Sequence, residues 1–235
     1  MLAQVQHDFD DSASLAQALA DAVAGDLKSA LAARGTALLA VSGGRTPVHF
    51  FHALSQRKLD WSKVVVTLVD ERWVAPTQDR SNEHFVRANL LQNEAAAAQF
   101  VSLYEPEAAG PDEALAALTT RIVLLDLPFD ALVLGMGDDG HTASFFPGGD
   151  HLAQATDPNT QALVTTMRAP DAGEPRITLT LPVILAARNL YLHVEGQQKR
   201  RVLWDATNAE AGDDNLPISI VLRNARVPVQ TYWCP

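Results

Sequence analysis

The sequence predicts a three-layer α/β fold, a parallel sheet with helices on both faces, and three observations carry that expectation. Apolar runs alternate with helical stretches from one end of the 235 residues to the other, and no internal repeat interrupts them. Runs such as Ala37 to Val41, Lys63 to Val69 and Ala131 to Leu134 are almost wholly apolar, as in strands covered on both faces. These runs end in loops of glycine and charge, where an open parallel sheet places its ligand crevice.

The first helix is predicted from an Asp11 or Ser12 cap to about Arg34, because Leu15, Leu19, Val23, Leu27 and Leu31 recur every fourth residue. Gly35 ends it, and the strand from Ala37 to Val41 follows. The next loop is Ser42, Gly43, Gly44, Arg45, Thr46 and Pro47, with Thr46 as cap and Pro47 as first residue of a helix reaching about Leu59. Two glycines, two hydroxyls and a guanidinium before a helix N-terminus make a cradle suited to a phosphate monoester. The spacing lacks the lysine of a nucleotide P-loop, and a plain strand-to-helix turn is the alternative.

The strand from Lys63 to Val69 leads into Asp70, Glu71, Arg72 and Trp73, where a carboxylate and a guanidinium can face the crevice or form a surface pair. After the loop APTQDRSN, a helix is predicted from Ser81 or Asn82 to about Leu91, and another from Asp112 to Asp126 beyond an exposed turn at 106–111. The stretch FDALVLGMGDDGHTASFFP, Phe129 to Pro147, is the richest in chemistry. Its strand ends in a glycine turn from Gly135 to Gly140, and His141 to Phe146 is predicted to start a helix that Pro147 stops. The turn formally matches GxGxxG, but no full-length helix follows, as a dinucleotide site requires. An imidazole two residues from Asp139 can have its tautomer set and its basicity raised for proton transfer. The competing reading is a helix-start cap on a solvated acidic turn.

Farther on, Gly148 to Pro158 reads as loop or broken helix and Ala162 to Thr166 as a strand. Arg168 and Arg176 flank a proline-bounded loop able to close over a site, and Ile177 to Leu181 leads into a helix near 182–187. The strand from Leu190 to Val194 precedes a helix from Gln197 to Trp204. Lys199 lies in its first turn, where the helix dipole disfavours a cation unless an anion meets it. A helix from Leu216 to Arg223, capped by Asn215, and a strand from Val227 to Trp233 complete the chain.

Composition narrows the function. One domain over residues 1–235 is expected, with 47% hydrophobic residues to fill its core. No run approaches about 18 apolar residues and no basic leader precedes one, so a cytoplasmic protein without a membrane span is expected. Cys234 is the single cysteine, which excludes an intrachain disulfide and a cysteine metal cluster. A formal charge of −10 argues against nucleic acid as a partner, while leaving room for a local basic pocket.

Six stretches taken in order, SGGRTP at 42–47, DERWV at 70–74, DRSN at 79–82, GMGDDGHTASFFP at 135–147, PRITLTLP at 175–182 and GQQKR at 196–200, resemble the 6-phosphogluconolactonase family. The resemblance implies a Rossmann-like fold shared with glucosamine-6-phosphate deaminase and ribose-5-phosphate isomerase, and no cofactor; no metal is expected, and the chain is expected to be a monomer or homodimer. It implies hydrolysis of a small-molecule sugar-phosphate lactone, 6-phosphogluconolactone, to 6-phosphogluconate. His141 matches the general base with Asp139 as its partner, and Asp70 matches the acid of the second motif, expected to orient Arg72 or a sugar hydroxyl. Arg72 and backbone amides near Gly43, Gly44 or Gly140 are expected to receive negative charge, and Ser42 to Thr46, Arg176 and Lys199 to contact phosphate and sugar.

Three positions depart from the family pattern. Arg45 replaces a common serine and adds a cation, Leu185 replaces an asparagine, and Gln197 and Gln198 stand where acids are common, freeing Lys199 for phosphate. Two other readings accompany the resemblance. A deaminase-like isomerase carries a glutamate after the DGH turn, where this chain has Ser144, Phe145 and Phe146. A non-catalytic sugar-phosphate sensor needs the cradle but not the base.

Overall fold

In a computed structural model of the chain, residues 4–44, 46–170, 172–208 and 216–235 are described. Two sheets organise them. The strands in chain order are β1 (Val5–Asp8), β2 (Ala37–Val41), β3 (Val64–Leu68), β4 (Asp70–Arg72), β5 (Gln99–Val101), β6 (Ala131–Gly135), β7 (Val164–Met167), β8 (Arg176–Leu179), β9 (Leu190–Glu195) and β10 (Val229–Cys234). Seven of them form a wholly parallel sheet in the order β1-β10-β9-β6-β2-β3-β5. Every residue of β2 and the first four of β6 are buried, so both faces at the centre of the sheet are covered, as their apolar sequences require.

The helices are α1 (Ser12–Arg34), α2 (Val48–Ser55), α3 (Asn82–Asn89), α4 (Pro111–Val123), α5 (Leu152–Ala155), α6 (Leu181–Leu185), α7 (Gln197–Asn208) and α8 (Pro217–Asn224). The predicted start of α1 holds: the Asp11 carboxylate accepts from the Ser14 amide at 2.7 Å. Gly35 closes the helix in the left-handed region, φ 78°, a position glycine occupies without strain. Ser81 caps α3 through its hydroxyl, which accepts from the His84 amide.

Several expectations are corrected. Strands β4, β8 and β7 form a second, antiparallel sheet, where the sequence reads as loop at Asp70 to Arg72 and as parts of one parallel sheet elsewhere. Edge strands β1 and β5 are additional. No helix begins at His141; the chain turns there, with a bridge between Thr142 and Phe145 and Ala143 at φ 52°. Thr46 does not cap α2, whose N-cap position is taken by Pro47 with no side-chain bond, and α2 ends at Ser55 rather than near Leu59. The predicted cap Asn215 and the loop residue Arg45 lie outside the described residues. Among the described residues no helix is long and apolar enough to cross a membrane.

The topology positions the site. From β2 the chain moves to β3 and then β5 in one direction, and from β6 it moves to β9 and β10 in the other. The order therefore reverses between β2 and β6, and a crevice opens beyond the carboxyl ends of such a strand pair. The small sheet is tied to that same end, since the Leu179 amide donates to the Val69 carbonyl at 2.9 Å.

Candidate active site

A cavity opens at this crossover, lined by loops from the ends of β2, β6 and β9 and by β4 and β8 of the small sheet. Ser42, Gly43, Gly44 and Thr46 form one wall, His141 another, and Asp70, Arg72, Arg176 and Lys199 contribute the charged groups. Residues more than 150 positions apart in sequence are thus brought together.

The imidazole is fixed from behind. His141 Nδ1 lies 2.6 Å from Asp139 Oδ1, and the His141 backbone amide donates to the same oxygen at 3.1 Å. A carboxylate only accepts, so Nδ1 carries the hydrogen and Nε2 keeps the lone pair. Burial alone would raise the Asp139 carboxyl, but the hydrogen bond and charge of His141 outweigh it and hold it below its ordinary value. A Cβ on Gly137 would stand 2.3 Å from His141 Nδ1 and 2.5 Å from Asp139 Oδ1, which explains the glycine: only a bare backbone lets the pair lie against it. The Phe146 ring packs tilted against the imidazole, 4.4 Å from its centroid and 5.2 Å from the Arg176 guanidinium carbon.

Arg72 and Arg176 are directly opposite one another in the β4–β8 pair. Like charges facing across an antiparallel pair repel, so the arrangement calls for an anion nearby. Asp70 partly supplies one. Its Oδ2 lies 3.9 Å from Arg176 Nη1 and accepts from the Ser144 hydroxyl at 2.6 Å. It makes no bond to Arg72, so of the two expected partners, Arg72 or a sugar hydroxyl, the first is corrected: Asp70 faces Arg176, and Arg72 is held by the Arg80 carbonyl at 2.8 Å. Arg176 also donates to the Ala172 carbonyl, and burial draws its guanidinium below the ordinary value against the pull of Asp70.

Gly140 is not in the cavity wall. Its amide donates to the Gly137 carbonyl and its carbonyl accepts from Ile218, so it holds α8 and has no donor free for substrate. Arg168 is likewise elsewhere, paired with Asp112 and Asp150. Two contributors carry no role in the sequence reading. Asn82, 2% exposed, donates through Nδ2 to the Asp70 carbonyl at 2.8 Å and lines the cavity. Buried His193 also lines it, its Nε2 2.8 Å from Glu195, and the one signal was a histidine inside the apolar run LYLHV.

Glu71 supports the wall from outside. Its carboxylate accepts from Ser81 Oγ and from the amides of Arg72, Asn82 and Glu83. Burial raises its carboxyl, and those four bonds hold the rise in check. Glu71→Ala leaves these donors unmatched and should cost about 3 kcal/mol, a fall of roughly 6–12 °C in Tm by thermal unfolding. A change under about 2 °C would refute that bracing role.

A family model described as glucosamine-6-phosphate isomerases/6-phosphogluconolactonase matches residues 10–233. The chain belongs to this family. A relative from Rhizobium meliloti (strain 1021) named 6-phosphogluconolactonase is 54% identical over 230 residues, covering 97% of this chain and 98% of that one. A crystal structure of a 6-phosphogluconolactonase from Shewanella baltica OS155 superimposes with a TM-score of 0.94 at 41% identity, covering 99% of this chain and 98% of that chain. A monomeric glucosamine-6-phosphate deaminase, 15% identical with a TM-score of 0.79, shares the fold. The six stretches that carry the family resemblance all lie on the cavity wall or brace it: the loop after β2, β4, the start of α3, the turn after β6, β8 and the start of α7. Among the described residues no group of three or more His, Cys, Asp or Glu side chains is placed to hold a metal ion.

Proposed function

We propose that the chain hydrolyses 6-phospho-D-glucono-1,5-lactone to 6-phospho-D-gluconate in the cytoplasm, the second step of the oxidative pentose phosphate pathway, without a cofactor. The observation that carries this reading is one cavity holding both a carboxylate-fixed imidazole and a facing pair of guanidiniums. Relatives of high identity carry the name of that activity.

His141 Nε2 takes a proton from water as its oxygen attacks C1 of the lactone. The carbonyl electrons move onto oxygen, and Arg72 Nε, a buried donor with no acceptor among the described residues, meets that negative charge. Collapse of the tetrahedral intermediate breaks the bond from C1 to the ring oxygen, which leaves with the proton returned by His141. Asp139 keeps the ring in the required tautomer and balances its transient positive charge. The Ser42–Thr46 loop, Arg176 and Lys199 hold the phosphate.

Lactonase and deaminase chemistry diverge just past His141. Ser144 is bound to Asp70 and Phe145 and Phe146 are buried, so this turn offers no carboxylate for ring opening. With freshly prepared lactone, pure protein should speed acid release well above spontaneous hydrolysis in a pH-stat or coupled assay. Tight binding of the lactone with no acceleration would sink the hydrolase reading in favour of a sensor.

A further inference from the structure

The described residues contain three buried side-chain atoms without a hydrogen-bond partner: Arg72 Nε, Asn82 Oδ1 and His193 Nδ1. All three belong to residues lining the one cavity. Buried polar atoms are almost always paired, so a cluster of exceptions in a single cavity marks where a ligand supplies the missing partners. Arg72 Nε is a donor and has its role in the hydrolysis. Asn82 Oδ1 is of the opposite kind.

We propose that Asn82 is a specificity-determining residue whose Oδ1 accepts a hydrogen bond from a ring hydroxyl of the substrate; this rests on the lactonase reading. Two observations define the atom. Nδ2 donates to the Asp70 carbonyl at 2.8 Å, which sets which end of the amide is oxygen, and Oδ1 is left as an acceptor. The side chain also abuts the glycine loop, since a Cβ on Gly43 would stand 2.0 Å from Oδ1. Gly43 therefore makes room for the Asn82 amide itself against the loop at the cavity wall. An amide oxygen cannot satisfy a fully ionised phosphate, a lactone carbonyl or an ester oxygen, because none of these brings a hydrogen. The hydroxyls at C2, C3 and C4 of the lactone do. Asn82 thus reads the polyol while the cations read the phosphate.

The test is a two-way cycle in kcat/KM, combining Asn82→Ala with phospholactones lacking one hydroxyl at C2, C3 or C4. Intrinsic reactivity differences among the lactones cancel in the cycle. The wild-type protein should lose about 10–100-fold on one analogue, and Asn82→Ala should lose less than twofold on that same analogue relative to its own rate on the full lactone. Equal penalties in both proteins at every position would overturn the assignment and leave Asn82 as packing for Gly43. A wild-type profile flat to within twofold overturns it without any variant. Should Asn82→Ala not fold, Asn82→Ser runs through the same cycle under the same criterion. Wild-type turnover of the full lactone is the control for the underlying reading: if it is absent, that reading fails separately, and the cycle is then scored in Kd for the unreactive ring compound 1,5-anhydroglucitol 6-phosphate and its deoxy forms.

Discussion

His141→Ala should lower kcat on the phospholactone by about 10²–10⁴-fold while leaving the fold intact. The size follows from what the residue does. In the proposed mechanism its Nε2 accepts the proton from water and donates it to the leaving ring oxygen, so both halves of the reaction lose their proton path. The structural cost is small, because the side chain is 32% exposed and its one strong bond is to Asp139, itself 42% exposed. Circular dichroism and Tm should therefore match the wild type, while turnover approaches spontaneous hydrolysis. The pH dependence adds a sharper check. Because Asp139 is held below its ordinary value, it stays ionised across the range in which an imidazole titrates. Asp139→Asn should then depress kcat at every pH by disfavouring the productive tautomer. Unchanged turnover in His141→Ala would remove the imidazole from the mechanism.

The central sheet is legible in the sequence because its strands are buried on both faces and read as unbroken apolar runs. The small sheet is not, for the same physical reason in reverse. Asp70 to Arg72 is three polar or charged residues, turn-like by composition, and becomes a strand only by pairing with Arg176 to Thr178 about a hundred residues later. That pairing is what sets Arg72 opposite Arg176, so the electrostatic core of the site could not be placed from local pattern. The turn at His141 fails as a predicted helix because Ala143 adopts a positive φ, and tertiary bonds such as Ser144 to Asp70 hold the chain there. That Ser42, Gly43, Gly44, Thr46 and His141 would gather at one crevice was legible, because each follows the end of an apolar strand of a parallel sheet. Asn82 and His193 were not. What singles them out is a place in the cavity wall and an unpaired buried atom, which no spacing reveals.

Glucono-1,5-lactone without its phosphate should be a poor substrate, with kcat/KM lower by about 10²–10⁴-fold. Hydrogen bonds to charged groups contribute about 1.5–3 kcal/mol each, and the two contacts to the phosphate proposed for Arg176 and Lys199 would give roughly 3–6 kcal/mol. The surrounding charge makes this local. The chain carries a formal −10, so attraction of an anionic substrate comes from the cavity's own cations rather than from the surface at large. Lys199 sits in the first turn of α7, where the helix dipole opposes a cation and an anion restores the balance. Lys199→Ala should therefore lower kcat/KM on the phospholactone, more so at low salt because the side chain is only half-buried, and leave the unphosphorylated lactone unaffected. Where the loss falls is also informative: phosphate contacts equal in ground and transition state raise KM alone, whereas contacts that position C1 against His141 lower kcat as well. Equal efficiency on the two lactones, or an equal loss on both in Lys199→Ala, would show that the cations do not read the phosphate.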